Sequence, residues 1–164
     1  MEDKKDLDEL DYAIINHLQK DGRKSFKDLA TALDVSLGTI RNRYAKMKDS
    51  GVIHILGYAI PDKVGFQANA QLRISIRPSN RIKQIAEALM QLPECGFLAM
   101  TSGEYELCME VLCPNNDHLT RMVQERIYTI EGVYHVNITM YLKLYTLNQP
   151  TVNLINGGKD SRKI

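Results

Sequence analysis

The chain has no tryptophan, three cysteines and five prolines among 164 residues, and each scarcity removes a class of protein. Cys95, Cys108 and Cys113 are an odd set with no Cys-x-x-Cys pair. A disulfide framework and a zinc ribbon are therefore excluded, and the three read as ordinary buried or half-buried thiols in a reducing cytoplasm. No run reaches the roughly 18 apolar residues that a membrane span needs. The N-terminus, MEDKKDLDELD, is charged from the start and lacks the apolar stretch of a secretion signal. No GxSxG, P-loop or GxGxxG is present. His17, His54, His118 and His135 fall on different elements without metal-ligand spacing. The loop Arg77-Pro78-Ser79-Asn80-Arg81 has no glycine to let backbone N–H groups close on an anion. The inventory predicts a protein that is not an enzyme and uses neither metal nor cofactor. What remains is a globular composition, 44% apolar and 25% charged, able to fill a core in each of two small domains.

The net charge of +1 hides an uneven distribution. Arg23, Lys24, Lys27, Arg41, Arg43, Lys46 and Lys48 crowd into one stretch against Asp28 and Asp34, whereas the balancing acids lie between Glu2 and Asp21. A local basic face within a neutral chain is what phosphate contacts require.

Helical periodicity accounts for the first third. Leu7, Leu10, Ile14 and Leu18 form one stripe, which Gly22 is placed to end. Ser25, with Asp28 three residues on, opens a second helix carrying Phe26, Leu29, Ala30 and Leu33 inward. After Asp34-Val35, Ser36 caps a third helix with Leu37, Ile40, Tyr44 and Met47, which Gly51 stops. Helix, short turn and basic helix make a helix-turn-helix from about Lys27 to Lys46. Arg and Asn carry forked donors and acceptors that match guanine and adenine edges, and hydroxyls at a helix start meet phosphates. Lys24, Ser25, Ser36, Thr39, Arg41, Asn42, Arg43 and Lys46 are the candidate contacts to double-stranded DNA. The plainer alternative is three packed helices with a solvated basic face.

From Ala68 onward the period changes. Ala68, Ala70, Leu72, Ile74 and Ile76 alternate with polar residues, as Tyr105 to Cys113 and Tyr134 to Leu144 do. Phe97 to Thr101 adds a strand, and helical stripes at Ile82–Leu89 and Leu119–Ile130 separate them. The order βαββαβ predicts a ferredoxin-like domain with both helices on one sheet face. The other face would carry Arg73, Cys108, Leu112, His135, Thr139 and Tyr141, a mixed set that suits either solvent or a partner sheet. The stretch from Ile53 to Ile60 is apolar on both sides of its alternation and predicts a linker strand that needs cover. The residues after Pro150 predict a mobile tail. The fold class is α+β: a winged helix-turn-helix domain (1–53), a hinge strand and linker (54–66), an αβ domain (67–147) and a tail (148–164).

The segments Leu7-Asp8-Glu9-Leu10-Asp11, Asp21-Gly22-Arg23, Ser36-Leu37-Gly38-Thr39-Ile40-Arg41-Asn42-Arg43 and Gly51-Val52-Ile53, taken in order, resemble the leucine-responsive regulatory protein/AsnC family. The resemblance runs from about Leu7 to Leu147. It implies a transcription regulator whose αβ domain binds an amino-acid effector and dimerises, with the hinge strands of two subunits paired. A tetramer or octamer can be built from that dimer. A two-fold dimer would present two recognition helices one DNA turn, roughly 34 Å, or a multiple apart. Three departures stand out: Asp34 replaces the usual turn glycine, Gly103-Glu104-Tyr105-Glu106 replaces Gly-Asp-x-Asp, and Val136 and Ile138 replace two threonines. The resemblance implies an effector site at Thr101, Ser102, Gly103, Glu104, Val136 and Ile138. There the turn's N–H groups would take a carboxylate and Glu104 an ammonium. Read from the residues alone, the same turn is a hairpin with an exposed glutamate. A ligand-independent architectural DNA-binding protein is the alternative function, and the altered effector positions favour it.

Overall fold

Asp8 starts the first helix, α1 (Glu9–Lys20), through a capping box. Its carboxylate accepts from Asp11 N at 3.0 Å, and the Asp11 carboxylate accepts from Asp8 N at 3.2 Å. A computed structural model describes residues 7–146 and 150–152 of the chain. The helix stops at Asp21, whose backbone is extended (φ −146°). Gly22 stands at the position expected for the glycine after the helix, but it does not take the left-handed conformation of a glycine stop; among the described residues the positive-φ glycines are Gly51, Gly65 and Gly132. Ser25 caps α2 (Phe26–Ala32) and Ser36 caps α3 (Leu37–Asp49), each hydroxyl accepting the backbone N–H three residues on. Ile14, Leu18, Leu29, Ile40 and Met47 close the core between the three helices.

Both turns around α3 rest on a left-handed residue. Asp34 takes φ 52°, and the next amide, Val35 N, donates back to Ala30 O at 3.0 Å. Gly51 takes φ +70°, and Val52 N donates to Met47 O at 2.8 Å. These are Schellman closures, in which the left-handed residue lets the following N–H satisfy a helix carbonyl. The left-handed region costs most residues about 1–2 kcal/mol and Asp rather less. Asp34→Gly is therefore expected to stabilise the three-helix unit by up to about 1 kcal/mol. The check is a shift of the denaturant midpoint at unchanged slope. A lower midpoint would mean that the Asp34 side chain contributes more than its backbone costs.

Two units emerge from the contacts. Among the described residues, one holds 7–57 together with 150–152, and the other runs from Tyr58 to Thr146. Residues 54–60, expected as a hinge strand, form no strand pairing in the single chain. A strand is stable only when its N–H and C=O groups meet another edge, and one chain offers none here. Among the described residues the three-helix unit contains no strand, so the expected wing has no paired hairpin. The tail also differs from expectation. Pro150 to Val152 is docked on α1: Gln19 Nε2 donates to Pro150 O (3.2 Å), Val152 N donates to Gln19 Oε1 (3.1 Å), and Thr151 Oγ1 donates to Asn16 Oδ1 (3.0 Å). Val152 packs against the three-helix core. Residues 153–164 of the expected tail lie outside the described residues.

The second unit has the βαββαβ order: β1 (Ala68–Ile76), α4 (Ile82–Leu89), β2 (Cys95–Met100), β3 (Leu107–Cys113), α5 (Asn116–Met122) and β4 (Val133–Met140). All neighbours are antiparallel in the order β2-β3-β1-β4. Alternation dictates the layers: Leu72, Ile74, Met109 and Val111 are completely buried against α4 and α5. Burial of each such side chain contributes about 1.5–3 kcal/mol. The pattern read as one helix to Ile130 instead widens after Met122 into a π turn, Val123–Ile127, where Tyr128 N reaches back to Val123 O at 2.9 Å. Burial pushes the Cys113 thiol up to about 11 and raises those of Cys95 and Cys108 too, so none is set up as a thiolate.

Beside α5, Glu94 is a buried carboxylate, 8% exposed. Arg126 Nη1 donates to its oxygens at 3.1 and 3.2 Å, and His118 Nε2 lies 2.7 Å away. Burial pushes its pKa up, but the His118 hydrogen bond, its own backbone N–H and the Arg126 charge outweigh that and leave it below 4.5. A carboxyl that is harder to protonate when folded stabilises the fold above its ordinary pKa, and that contribution is lost as pH falls through the lower folded value. Denaturant titrations from pH 7 down through 4.5 should show this unit weakening, with a shallower acid limb in Glu94→Gln. An identical limb in that variant would assign the acid sensitivity to other groups.

Candidate DNA-binding and effector sites

The phase of α3 decides what it can offer. Ile40 and Met47 are buried, and Tyr44 packs on Phe26 at 5.0 Å between ring centroids. The opposite side presents Arg41, Asn42 and Lys46, all exposed. At the helix start the Ser36 hydroxyl is engaged with Thr39 N (3.0 Å) and Thr39 Oγ1 (2.8 Å). This leaves the row Arg41-Asn42-Lys46 as a cationic and hydrogen-bonding face on one side of a capped helix, the chemistry of major-groove readout.

The other candidates sit differently. Arg43 turns inward to α1: its Nη1 lies 2.5 Å from Asp8 Oδ2 and 3.1 Å from Asp11 Oδ2. Asp11 is buried, so Arg43 is the cation that satisfies it, and the pair holds α3 against the start of α1. The Asp8 hydrogen bond and the charges of Asp11 and Asp8 raise the Arg43 pKa further, while backbone and Arg43 hydrogen bonds lower that of Asp8. Lys24 Nζ donates to His17 Nδ1 at 3.0 Å. Burial, then Lys24 and Lys20, lower the His17 pKa, which keeps that ring a neutral acceptor. Ser25 is engaged as the α2 cap and donates to Asp28 Oδ2 at 2.7 Å. Of the eight candidates, Arg41, Asn42 and Lys46 share one open face, Ser36 and Thr39 lie at its start, and Lys24, Ser25 and Arg43 have partners within the unit.

The effector candidates occupy two places. Thr101 to Glu104 form an exposed loop between β2 and β3. Thr101 N donates to Glu106 O (3.0 Å), the Thr101 hydroxyl donates to Tyr105 O, and nothing lies within 4 Å of a Cβ built on Gly103. Glu106, named above only as part of the altered Gly-Asp-x-Asp and not as an effector candidate, accepts from Ile76 N at 2.8 Å through its carboxylate and ties this loop to the end of β1. Val136 and Ile138 lie opposite Ile74 and Leu72 on the core face of β4. Val136 is buried there, whereas Ile138 is 42% exposed. In the order β2-β3-β1-β4, β2 and β4 are opposite edges, three strand spacings or about 14 Å apart. Tyr105, next in sequence to Glu104, lies with its ring centre 6.4 Å from that of His135 on β4.

The outer sheet face is a connected polar surface. Arg73 Nη2 donates to Asn137 Oδ1 (2.8 Å), and the Arg73 guanidinium lies 5.1 Å from the Tyr105 ring centre. Tyr141 OH donates to Glu110 Oε1 (3.0 Å) and accepts from Gln71 Nε2 (3.5 Å). A cavity of about 180 Å³ beside α5 is lined by Glu94, His118, Arg121 and Arg126, but the buried carboxylate in it is already fully engaged. Among the described residues no group of three metal-ligating side chains occurs, and no helix is long and apolar enough to cross a membrane.

These two units coincide with two known domain families. Residues 7–48 match the AsnC-type helix-turn-helix domain, and residues 69–150 match the Lrp/AsnC ligand-binding domain. The chain is 33% identical over 128 residues to an uncharacterized HTH-type transcriptional regulator of Pyrococcus furiosus, covering 77% of this chain and 86% of that one. It is 30% identical over 140 residues to the HTH-type transcriptional regulator Ptr1 of Methanocaldococcus jannaschii, covering 85% and 94%. Among solved structures, E. coli AsnC superposes with a TM-score of 0.78 at 24% identity, covering 88% of this chain and 98% of that one. A transcriptional regulator of Neisseria meningitidis, in complex with L-methionine, superposes at 0.79 with 21% identity, covering 90% and 99%. A DNA-binding helix-turn-helix followed by a ligand-binding domain, each in its place, makes this chain a member of the Lrp/AsnC family of transcriptional regulators.

Proposed function

We propose that this regulator acts in the cytoplasm as a two-fold homodimer, or a larger assembly of it, that reads DNA through Arg41, Asn42 and Lys46 and responds to an amino acid. The observation that carries the reading is the open Arg41-Asn42-Lys46 face on a helix whose other side is fully committed to the core. Assembly is supported by what one chain leaves uncovered. Ile55, Leu56, Tyr58 and Ile60 are exposed along the segment after α3, with Leu56 at 85%. A contiguous apolar run of that kind marks an interface. The outer sheet face, with Arg73 hydrogen-bonded to Asn137 and Tyr141 to Glu110, offers a polar surface to a second sheet.

A second copy also bears on the effector. The loop at Gly103-Glu104 joins β2 to β3 and the exposed Ile138 lies on β4, and in this reading an interface between two chains brings such groups together in one pocket. There Glu104 receives the ammonium and the apolar Ile138 favours an apolar side chain. The Neisseria regulator with its bound L-methionine makes that amino acid the first to try. Calorimetry with leucine, methionine, glutamine and lysine should show binding of an apolar amino acid, weakened at least tenfold, or about 1.4 kcal/mol, by Glu104→Ala. Binding untouched by Glu104→Ala moves the site elsewhere. Absence of binding by all twenty amino acids establishes the ligand-independent architectural reading instead.

A further inference from the structure

Of the large apolar residues of α3, Ile40 and Met47 are buried and Tyr44 packs against the three-helix core, whereas Leu37 is 40% exposed. The inward place expected for Leu37 is thereby corrected. It stands at the first position of the helix, on the row that continues through Arg41 and Lys48 rather than on the row of Ile40 and Met47. Arg41 and Lys48 are exposed as well, so this row is open along the helix.

Gly38 stands beside Leu37, and nothing within the fold requires a glycine there. Its φ is not positive, and a Cβ built on it would meet only Ser36 Oγ, at an ordinary contact distance of 3.7 Å. Alanine would fit and is the better helix former. A glycine with no internal reason is explained by an external one, because a bare backbone lets a ligand come close. Gly38 lies one turn before Asn42, on the side that carries the hydrogen-bonding face. In the same turn the Ser36 and Thr39 hydroxyls are engaged with each other at 2.8 Å. What this turn holds out is therefore an apolar side chain next to a position with none.

We propose that Leu37 reads the C5-methyl group of a thymine, and that Gly38 is bare so that the base-pair edge can come that near. This rests on the reading that puts Arg41, Asn42 and Lys46 in the major groove. The first residues of a recognition helix are the ones that meet base edges. The thymine methyl is the apolar group that the major groove displays, and an apolar side chain is its complement. Arg41 and Asn42 then read polar edges one turn further on, while Leu37 separates thymine from cytosine, which has only a hydrogen at C5.

The test removes that methyl and nothing else. Duplexes that bind the full-length wild type are selected from a pool with a randomised core, and each thymine of a selected duplex is replaced in turn by deoxyuridine. At one thymine position the wild type is expected to lose about fourfold in affinity, the worth of one buried methyl. At the same position 5-methylcytosine should exceed cytosine by a similar factor. Leu37→Ala should bind the thymine and deoxyuridine duplexes equally, with an unchanged melting temperature, since the side chain is exposed and alanine suits a helix. Gly38→Ala should melt no lower than the wild type yet bind the selected duplex more weakly. A wild type indifferent to every methyl, a pool that yields no preferred sequence, or a methyl effect of equal size in Leu37→Ala overturns the assignment of Leu37. Full affinity in Gly38→Ala overturns the clearance. Replacing Arg41, Asn42 and Lys46 by alanine keeps the two readings apart. If that variant binds as the wild type does, α3 is not in the groove. If it loses affinity while wild type and Leu37→Ala answer alike to the methyl, α3 stays in the groove and Leu37 alone is ruled out.

Discussion

Replacing Arg41, Asn42 and Lys46 together by alanine is expected to weaken DNA binding about a thousandfold, from roughly 1–3 kcal/mol for each base contact. The melting curve should stay where it was, because the three side chains are exposed and α3 is held by Ile40, Met47 and Arg43 on its other side. Single variants sort the contacts. A residue that touches phosphate lowers affinity for every sequence and reduces the salt slope by about 0.9. A residue that reads a base leaves the slope alone and relaxes preference at one position. Arg43→Ala supplies the contrast. It removes the cation beside buried Asp11, so it should lower the melting temperature and weaken all DNA sequences together with an unchanged salt slope. Unchanged affinity in the triple variant would take α3 out of the interface.

That contrast also shows where residue patterns carry position and where they do not. The caps at Ser25 and Ser36, the left-handed turn at Asp34 and the alternation of β1 and β3 are local, and the fold follows them closely. Arg43 entered the DNA set because it is basic and adjacent to Arg41 and Asn42. Its spacing from Ile40 and Met47 already placed it on the inward side, a signal that charge alone conceals. Ile138 and Val136 alternate identically, yet one is exposed and the other buried, because β4 is an edge strand whose far end no helix covers. Residues 54–60 read as a strand because their apolar pattern is right, but a strand also needs a partner edge, which a single sequence does not supply. The docking of residues 150–152 on α1 was not legible for a related reason: its bonds run from Gln19 and Asn16 to residues more than 130 positions away, beyond any periodicity.

Gly132→Ala is expected to be the most damaging single methyl group in the αβ unit. An alanine for glycine normally stabilises by about 0.4–1 kcal/mol where the backbone accepts it, by stiffening the unfolded chain. At Gly132 the backbone does not accept it: φ is +103°, outside the range that side chains tolerate. The added Cβ would meet Arg81 Cδ at 3.0 Å, Ile85 Cδ1 at 3.1 Å and the Arg77 carbonyl oxygen at 3.4 Å. The Arg81 stem can swing aside, though that disturbs its bonds to Glu131. Ile85 cannot, being buried between α4 and the sheet, and Arg77 is held by its own N–H donating to Gly132 O at 2.8 Å. Relief must come from shifting the start of β4, the strand proposed to carry the effector contact, away from α4. Strain of this kind costs about 1–3 kcal/mol before any clash is counted. The melting temperature of the unit should fall on the order of 10 °C. Gly103→Ala is the control, since its Cβ meets nothing within 4 Å and its φ is not positive. That change should stay within about 0.5 kcal/mol of the wild type. Equal melting temperatures for the two variants would mean that the turn at Gly132 relaxes freely.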